Sequence, residues 1–432
     1  MYPDIFAPGF KTEPYWWEAT PRPLPASAPL PARCDVAIVG SGYTGLTAAL
    51  HLARAGRSVA VLDAEAAGAG ASSRNAGFVG RALVTDFADL IERVGLEKAK
   101  SLYAEVWAAY DQVYRVVAEE RIDCHLERCG RFIPVFSQRQ YESFARKLEI
   151  RRRHLGEEFE MVPKARQHLH LGTELYHGGS YGPDRGAIHP ALYHQGLLDR
   201  ARAAGAAIHD RTSVICLEAE TSRVSLDTTR GRIEAREVII ATNGYTGALT
   251  PDLQRRVIPF HGFMIATEPL APDRLARILP QPRIVEDYRM NIDFLRLSPD
   301  RSRLLFGGRT GGPAADLKAK AAVLHRRLLR LFPDLAGARI THAWTGRCAA
   351  SFDVMPHIGR RDRVHFALGY NYMGVPMGSW LGLKLARRLL GAEDGSTAFD
   401  DLPFPTRFYH RGRPWFVPLA TAWFDLKDRL ER

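Results

Sequence analysis

The sequence predicts an α/β fold, and three observations carry that prediction. The first is an apolar run from Asp35 to Val39 that leads straight into Gly40, Gly42 and Gly45 at the start of a helical stretch. The second is Val59-Ala60-Val61-Leu62-Asp63, another buried-strand pattern, ending in an acid about 20 residues past the turn. The third is the return of the same rhythm of short apolar runs and helical periodicity at residues 189–244 and 364–390. Strand, glycine turn and helix in this order read as a dinucleotide-binding unit. Gly40 permits the bend, Gly42 lets the backbone approach a pyrophosphate, and Gly45 lets the helix lie close to the strand. Tyr43 and Thr44 then stand in the first helical turn, where amide groups face an anion. Asp63, with Ala64 behind it, is placed to hold ribose hydroxyls. The turn alone does not distinguish one dinucleotide from another.

With 432 residues, 46% of them apolar, the chain is long enough for two domains with sizeable interiors. Its 59 basic and 48 acidic residues leave a formal charge of +11, which favours anionic ligands or an acidic partner. The basic residues are dispersed and lack interleaved aromatics, so no nucleic-acid partner is expected. Five cysteines, at 34, 124, 129, 216 and 348, form no CxxC pair, which suits a reducing compartment and gives no reason to expect a metal. No basic, then apolar, leader opens the chain and no apolar run reaches membrane-spanning length; the expectation is a cytoplasmic protein without integral membrane contact.

The elements follow in order. Residues 1–33, rich in proline and carrying Tyr15, Trp16 and Trp17, read as an extended arm whose tryptophans dock on the body. Residues 34–90, 180–250 and 341–395 are assigned to a split Rossmann-type domain. Residues 91–179 and 251–340 break its pattern with helical stretches at 87–121 and 138–155 and strand-like runs at 130–136, 263–267, 294–297 and 304–308. They are assigned to a second, antiparallel-sheet α+β domain, and residues 396–432 to a tail with a helix.

These pieces resemble the FAD-dependent D-amino-acid oxidase superfamily, and within it the gamma-glutamylputrescine oxidase and glycine or sarcosine oxidase-like branch. The resemblance rests on Val39 to Leu46, Gly70 to Gly77, Ile240 to Tyr245, Leu304 to Arg309, Asp353 to Gly359 and Gly369-Tyr370-Asn371, and covers nearly the whole chain. It implies FAD rather than NAD, and oxidation of a carbon-nitrogen bond beneath the second domain. By the same resemblance Ala71, Ser72, Arg74, Asn75 and Gly77 form the loop beside the flavin. Ala241, Thr242 and Asn243 end a strand behind the dinucleotide, and Val214 reaches the adenine side through its backbone. Gly346, Arg347, Gly369, Tyr370, Asn371, Tyr372, Met373 and Gly374 complete the cofactor-binding set. A helix beginning near Gly374 would direct its positive end at the ring.

For substrate, Arg309 is the leading candidate: at the end of the strand Leu304 to Gly308, its guanidinium would grip a carboxylate, the alternative being a surface arginine. His261 is second, against the reading of a satisfied core histidine, with Asn291, Tyr245, Tyr370 and Tyr372 as pocket lining. Three departures from the family pattern stand out. Tyr372 replaces a glycine, Leu305 stands where some relatives carry a lysine that promotes reaction with dioxygen, and Pro376 stands where a lysine holds substrate carboxylate. Cys348 lies near a region of covalent flavin attachment in some relatives, but its spacing to Asp353 suits an unmodified thiol. The leading reading is an oxidase of a primary or secondary amine or amino acid, a polyamine-like or gamma-glutamylated amine foremost. Hydride passes to FAD, the imine is hydrolysed, and dioxygen is reduced to hydrogen peroxide. The alternatives are a dehydrogenase serving a protein or quinone, and a flavin-binding protein without turnover.

Overall fold

The computed structural model describes residues 5–20, 29–308 and 316–430, so Arg309 and the prolines at 21, 23 and 25 lie outside the described residues. Two sheets organise the chain. The first has a parallel core in the spatial order Val364–Leu368, Gly231–Ile240, Arg33–Val39, Val59–Leu62 and Ala207–His209. Alternation along its strands splits two apolar interiors, as a period of two requires. Val36, Ile38 and Val61 face the helices Tyr43–Arg54, Pro190–Ala203 and Gly374–Leu389. Ala37, Val39, Ala60 and Leu62 face the opposite side, with Val224, Leu226 and Phe366.

The second sheet has nine strands, in the order Phe6–Lys11, Ile340–Ser351, Val257–Thr267, Leu304–Gly308, Asp293–Leu297, Ile284–Glu286, Arg131–Pro134, Gly179–Gly182 and Glu160–Val162. It is antiparallel except where Phe6–Lys11 meets Ile340–Ser351 and where Ile284–Glu286 meets Arg131–Pro134. Phe263, Ile265, Leu304 and Phe306 pack into one interior with Leu324 and Leu328 of the helix Leu317–Leu331. Alternate residues Met264, Ala266 and Leu305, with Trp344, pack against Trp16 and Ala191.

Several boundaries fall elsewhere than the sequence pattern places them. Ile340–Ser351 and Gly179–Gly182 belong to the large sheet, because their ladders run to Val257–Thr267 and to Arg131–Pro134. The long helix Leu96–Glu119 buries Leu102, Tyr103, Val106 and Val113 in the core of the first domain, since its apolar stripe meets the helix Gly374–Leu389. Within the expected arm, Phe6–Lys11 forms an edge strand. Trp16 is wholly buried, donating its Nε1 hydrogen to Asn75 O at 2.9 Å. No described helix is long and apolar enough to cross a membrane.

Candidate functional site

The glycine turn shows three different steric demands. Gly40 has φ +108°, and a Cβ there would stand 2.9 Å from Ala241 O. At Gly45 a Cβ would be 1.9 Å from Gly40 O, so only glycine lets the helix seat against the strand end. Gly42 ends in ordinary extended backbone, and its Cβ would touch only the Ser72 hydroxyl, at 2.9 Å. Asp63 is engaged within the protein. Its Oδ2 accepts from the Ser41 amide (2.8 Å) and hydroxyl (2.6 Å), tying the second strand to the turn, while Oδ1 accepts from Glu65 N at 3.0 Å. Ser41 escaped the motif reading, although a hydroxyl between the first two glycines was its signal.

A cavity of about 580 Å³ runs from this turn between the two sheets. One end is formed by Asp63, Ala64, Glu65, Thr212, Ser213 and Val214; the middle by Gly40, Gly42, Tyr43, Thr44, Ala71, Ser72, Ala241, Thr242 and Asn243. The far end takes Arg74, Asn75, Gly346, Arg347, Cys348, Tyr370, Asn371, Tyr372 and Gly374. The loop 68–77 is held from both sides. Asn75 Nδ2 donates to Ala71 O and Ser72 O, its Oδ1 accepts from Gly77 N, and Trp344 Nε1 donates to Arg74 O. Arg74 lies under the Trp17 ring, and burial lowers its pKa.

At the far end the chain turns sharply. Gly369, Asn371 and Tyr372 all have positive φ, at +76°, +47° and +71°, immediately before the helix Gly374–Leu389. Asn243 Oδ1 accepts from Gly369 N, while Asn371 Oδ1 accepts from Ser351 N and its amide hydrogens reach Gly369 O and Ser351 Oγ. The Tyr370 hydroxyl donates to Ala367 O, so Thr44 Oγ1 donates to it, at 2.7 Å, joining the two helix starts that face the cavity. Tyr372 does not fill the chamber: its ring rests on Phe260 at 4.9 Å and is 44% exposed at the rim.

Four expected cofactor residues stand behind the cavity rather than in it. Gly45 and Gly369 shape backbone, Met373 bonds through its amide to Tyr370 O, and Gly77 packs so tightly that a Cβ would lie 2.1 Å from Ile188 O. Two substrate candidates are corrected. His261 lies on the opposite face of its strand from the lining residues Gly262 and Met264, bonded to Thr345 Oγ1, with its pKa lowered by burial and by Arg347. Asn291 donates to Thr421 O and Asp425 Oδ1 of the C-terminal helix and lines no part of the cavity. Residues that motif reading missed also line the cavity: Phe78, Met264, Glu286, Ile292, Phe294 and Trp344. Trp344, Gly346 and Cys348 alternate along one strand, a signal present in the sequence. Glu286 and Phe294 are cross-strand neighbours that only the fold brings together.

A helix start at each of two positions along one cleft, a ribose-side carboxylate, and an apolar chamber under an antiparallel sheet fit an elongated dinucleotide with a reactive ring at its far end. The class so defined is a dinucleotide-binding protein. Residues 35–388 match the DAO family of FAD dependent oxidoreductases, and the chain belongs to that family. It is 31% identical to the gamma-glutamylputrescine oxidoreductase of Escherichia coli (strain K12), over 92% of this chain and 93% of that protein. A glycine oxidase of Geobacillus kaustophilus (strain HTA426) is 26% identical over 86% of this chain and 96% of its own. The crystal structure of glycine oxidase from Geobacillus kaustophilus shares the fold, with a TM-score of 0.73 and 24% identity over 88% of this chain and 100% of that one. FAD is therefore the cofactor, and the chain is an FAD-dependent oxidoreductase.

Proposed function

We propose that this protein oxidises the carbon-nitrogen bond of an amine or amino acid, with a polyamine-like or gamma-glutamylated amine as substrate and dioxygen as acceptor. The observation that carries the reading is the composition of the chamber beyond the ring end. Met264, Phe294 and Trp344 make it apolar, with Glu286 and Arg347 as the charged residues of its lining. An apolar wall disfavours an ammonium ion and so favours the neutral amine that the reaction needs. Glu286, itself 2.9 Å from Arg131 Nη1, suits a second nitrogen carried away from the reacting carbon. Arg347 suits a substrate carboxylate. The start of the helix Gly374–Leu389 favours negative charge at the ring's edge. FAD, when bound, takes the hydride from the carbon bearing the nitrogen. The resulting imine is hydrolysed by water to carbonyl and amine, and dioxygen accepts two electrons and two protons to become hydrogen peroxide.

A second reading, transfer to a protein or quinone, draws on Leu305, which is wholly buried in the apolar cluster with Trp16, Met264 and Trp344. One experiment separates the two. The holoprotein is mixed anaerobically with a panel of gamma-glutamylated diamines, free diamines and amino acids, the flavin absorbance is followed, and air is then admitted with peroxide measured. Bleaching by a diamine derivative and rapid return of colour with one peroxide per turnover is the expected result. Bleaching that persists in air makes the protein a dehydrogenase, and no bleaching by any amine rejects both readings.

A further inference from the structure

The C-terminal helix Val417–Leu430 is amphipathic in the reverse sense to a helix packed on a core. Its polar groups turn inward. Asp428 accepts from the Met290 and Asn291 amides at 3.0 and 3.1 Å, and Asn291 Nδ2 donates to Asp425 Oδ1 and Thr421 O at 2.7 and 3.0 Å. Its apolar residues turn outward. Leu419, Trp423, Leu426 and Leu430 recur at spacings of four and three, so they share one helix face, and they are 66%, 62%, 48% and 78% exposed. The segment before the helix continues the pattern with Phe408, 87% exposed, and Trp415, 61% exposed, set among the exposed Arg407, Arg411 and Arg413.

Large apolar side chains gain from being covered, so a contiguous exposed stripe of them marks a contact surface. The charges select what covers it. The helix acids Asp425 and Asp428 are engaged with the body, while the exposed side chains flanking the stripe, Arg407, Arg411, Arg413 and Lys427, are basic. A second copy of a chain with a formal charge of +11 would bring the same basic segment against itself. An anionic bilayer offers both an apolar layer for the stripe and acidic headgroups for the arginines.

We propose that this face lies on the surface of an anionic membrane, with the helix parallel to the bilayer plane and Phe408, Trp415 and Trp423 at headgroup depth. The same helix clamps Asn291, whose neighbour Ile292 lines the cleft, so the docked face and the cleft are joined by one short segment.

The test uses the full-length holoprotein and vesicles of phosphatidylcholine, with and without phosphatidylglycerol. Co-sedimentation is expected with the anionic vesicles alone, and brominated lipid should quench tryptophan fluorescence in the unaltered protein. The pair Trp423→Ser with Leu426→Ser, and separately the pair Arg411→Gln with Arg413→Gln, should each weaken binding roughly tenfold or more while the flavin spectrum stays unchanged. Three results overturn the proposal: no sedimentation with either vesicle, binding that falls with the arginine pair but not with the apolar pair, or a concentration-dependent dimer that the apolar pair abolishes. None of them bears on amine oxidation, which is measured without vesicles.

Discussion

Tyr372 stands at a position whose backbone suits glycine. Asn371 and Tyr372 follow one another in the left-handed region, at +47° and +71°. Asparagine tolerates that conformation; a bulky side chain there costs about 1–3 kcal/mol. The tyrosine offsets part of that cost by packing its ring on Phe260. Tyr372→Gly therefore removes strain and packing together and should leave stability within about 1 kcal/mol of the parent. Tyr372→Val loses the ring but keeps the strain, with a β-branched side chain, and should be about 2 kcal/mol less stable than the glycine variant. Urea unfolding of the holoproteins measures both, and equal stabilities for Val and Gly would show that the turn stores no strain at this residue.

The elements around the cleft are held by polar groups whose protonation matters. His189 caps the helix Pro190–Ala203, its Nδ1 accepting from Leu192 N at 3.2 Å, with the edge of Trp16 packed on the ring at 5.0 Å. Burial, then His125, then Arg296 lower its pKa from 6.5 to about 4. Between those values the unfolded chain binds a proton that the folded chain does not. The His189 contribution is thus fully present above pH 6.5 and is lost as the pH falls towards about 4. His189→Asn keeps a capping side chain without a titrating group and should flatten the fall in stability between about pH 7 and about pH 5. An unchanged slope in urea unfolding at the two pH values would refute that origin. Strand and helix positions near this cap were legible from residues 189–209 alone, because their periodicity is local. The partners of Ile340–Ser351 were not, since the strand follows a family motif in sequence yet pairs with Val257–Thr267, whose register only the folded sheet defines. His261 does not line the cavity for the same reason: its type was legible, its face was not. Asn291 was illegible in a stronger sense, because its partners lie more than a hundred residues away in the C-terminal helix.

Across the whole molecule, the cleft is where the two sheets meet, so a cofactor seated in it would link their stabilities. The cleft proposed to hold FAD is lined from the parallel sheet, the 68–77 loop and the strand Ile340–Ser351 of the large sheet, and none of these surfaces is assembled in the unfolded chain. Removing FAD should lower stability by the binding term, about 2.7 kcal/mol when free FAD stands at 100 times its Kd. The glycine turn allows that term to be isolated. At Gly42 an added Cβ meets only the Ser72 side chain, whose hydroxyl accepts from Tyr43 N at 3.1 Å and can turn aside, and the backbone is conventional. Gly42→Ala should leave the apoprotein within about 0.5 kcal/mol of the parent while removing most of the FAD-dependent gain, because the methyl intrudes where the pyrophosphate approaches. At Gly45 the Cβ strikes a backbone carbonyl, Gly40 O, which cannot rotate away. Gly45→Ala should destabilise apoprotein and holoprotein alike, by about 1–3 kcal/mol. Calorimetry of each protein with and without FAD separates the cases. If Gly42→Ala lowers the apoprotein as much as Gly45→Ala does, both glycines serve packing, and the turn's role in holding the dinucleotide passes to Thr44, Ser72 and the helix start behind them.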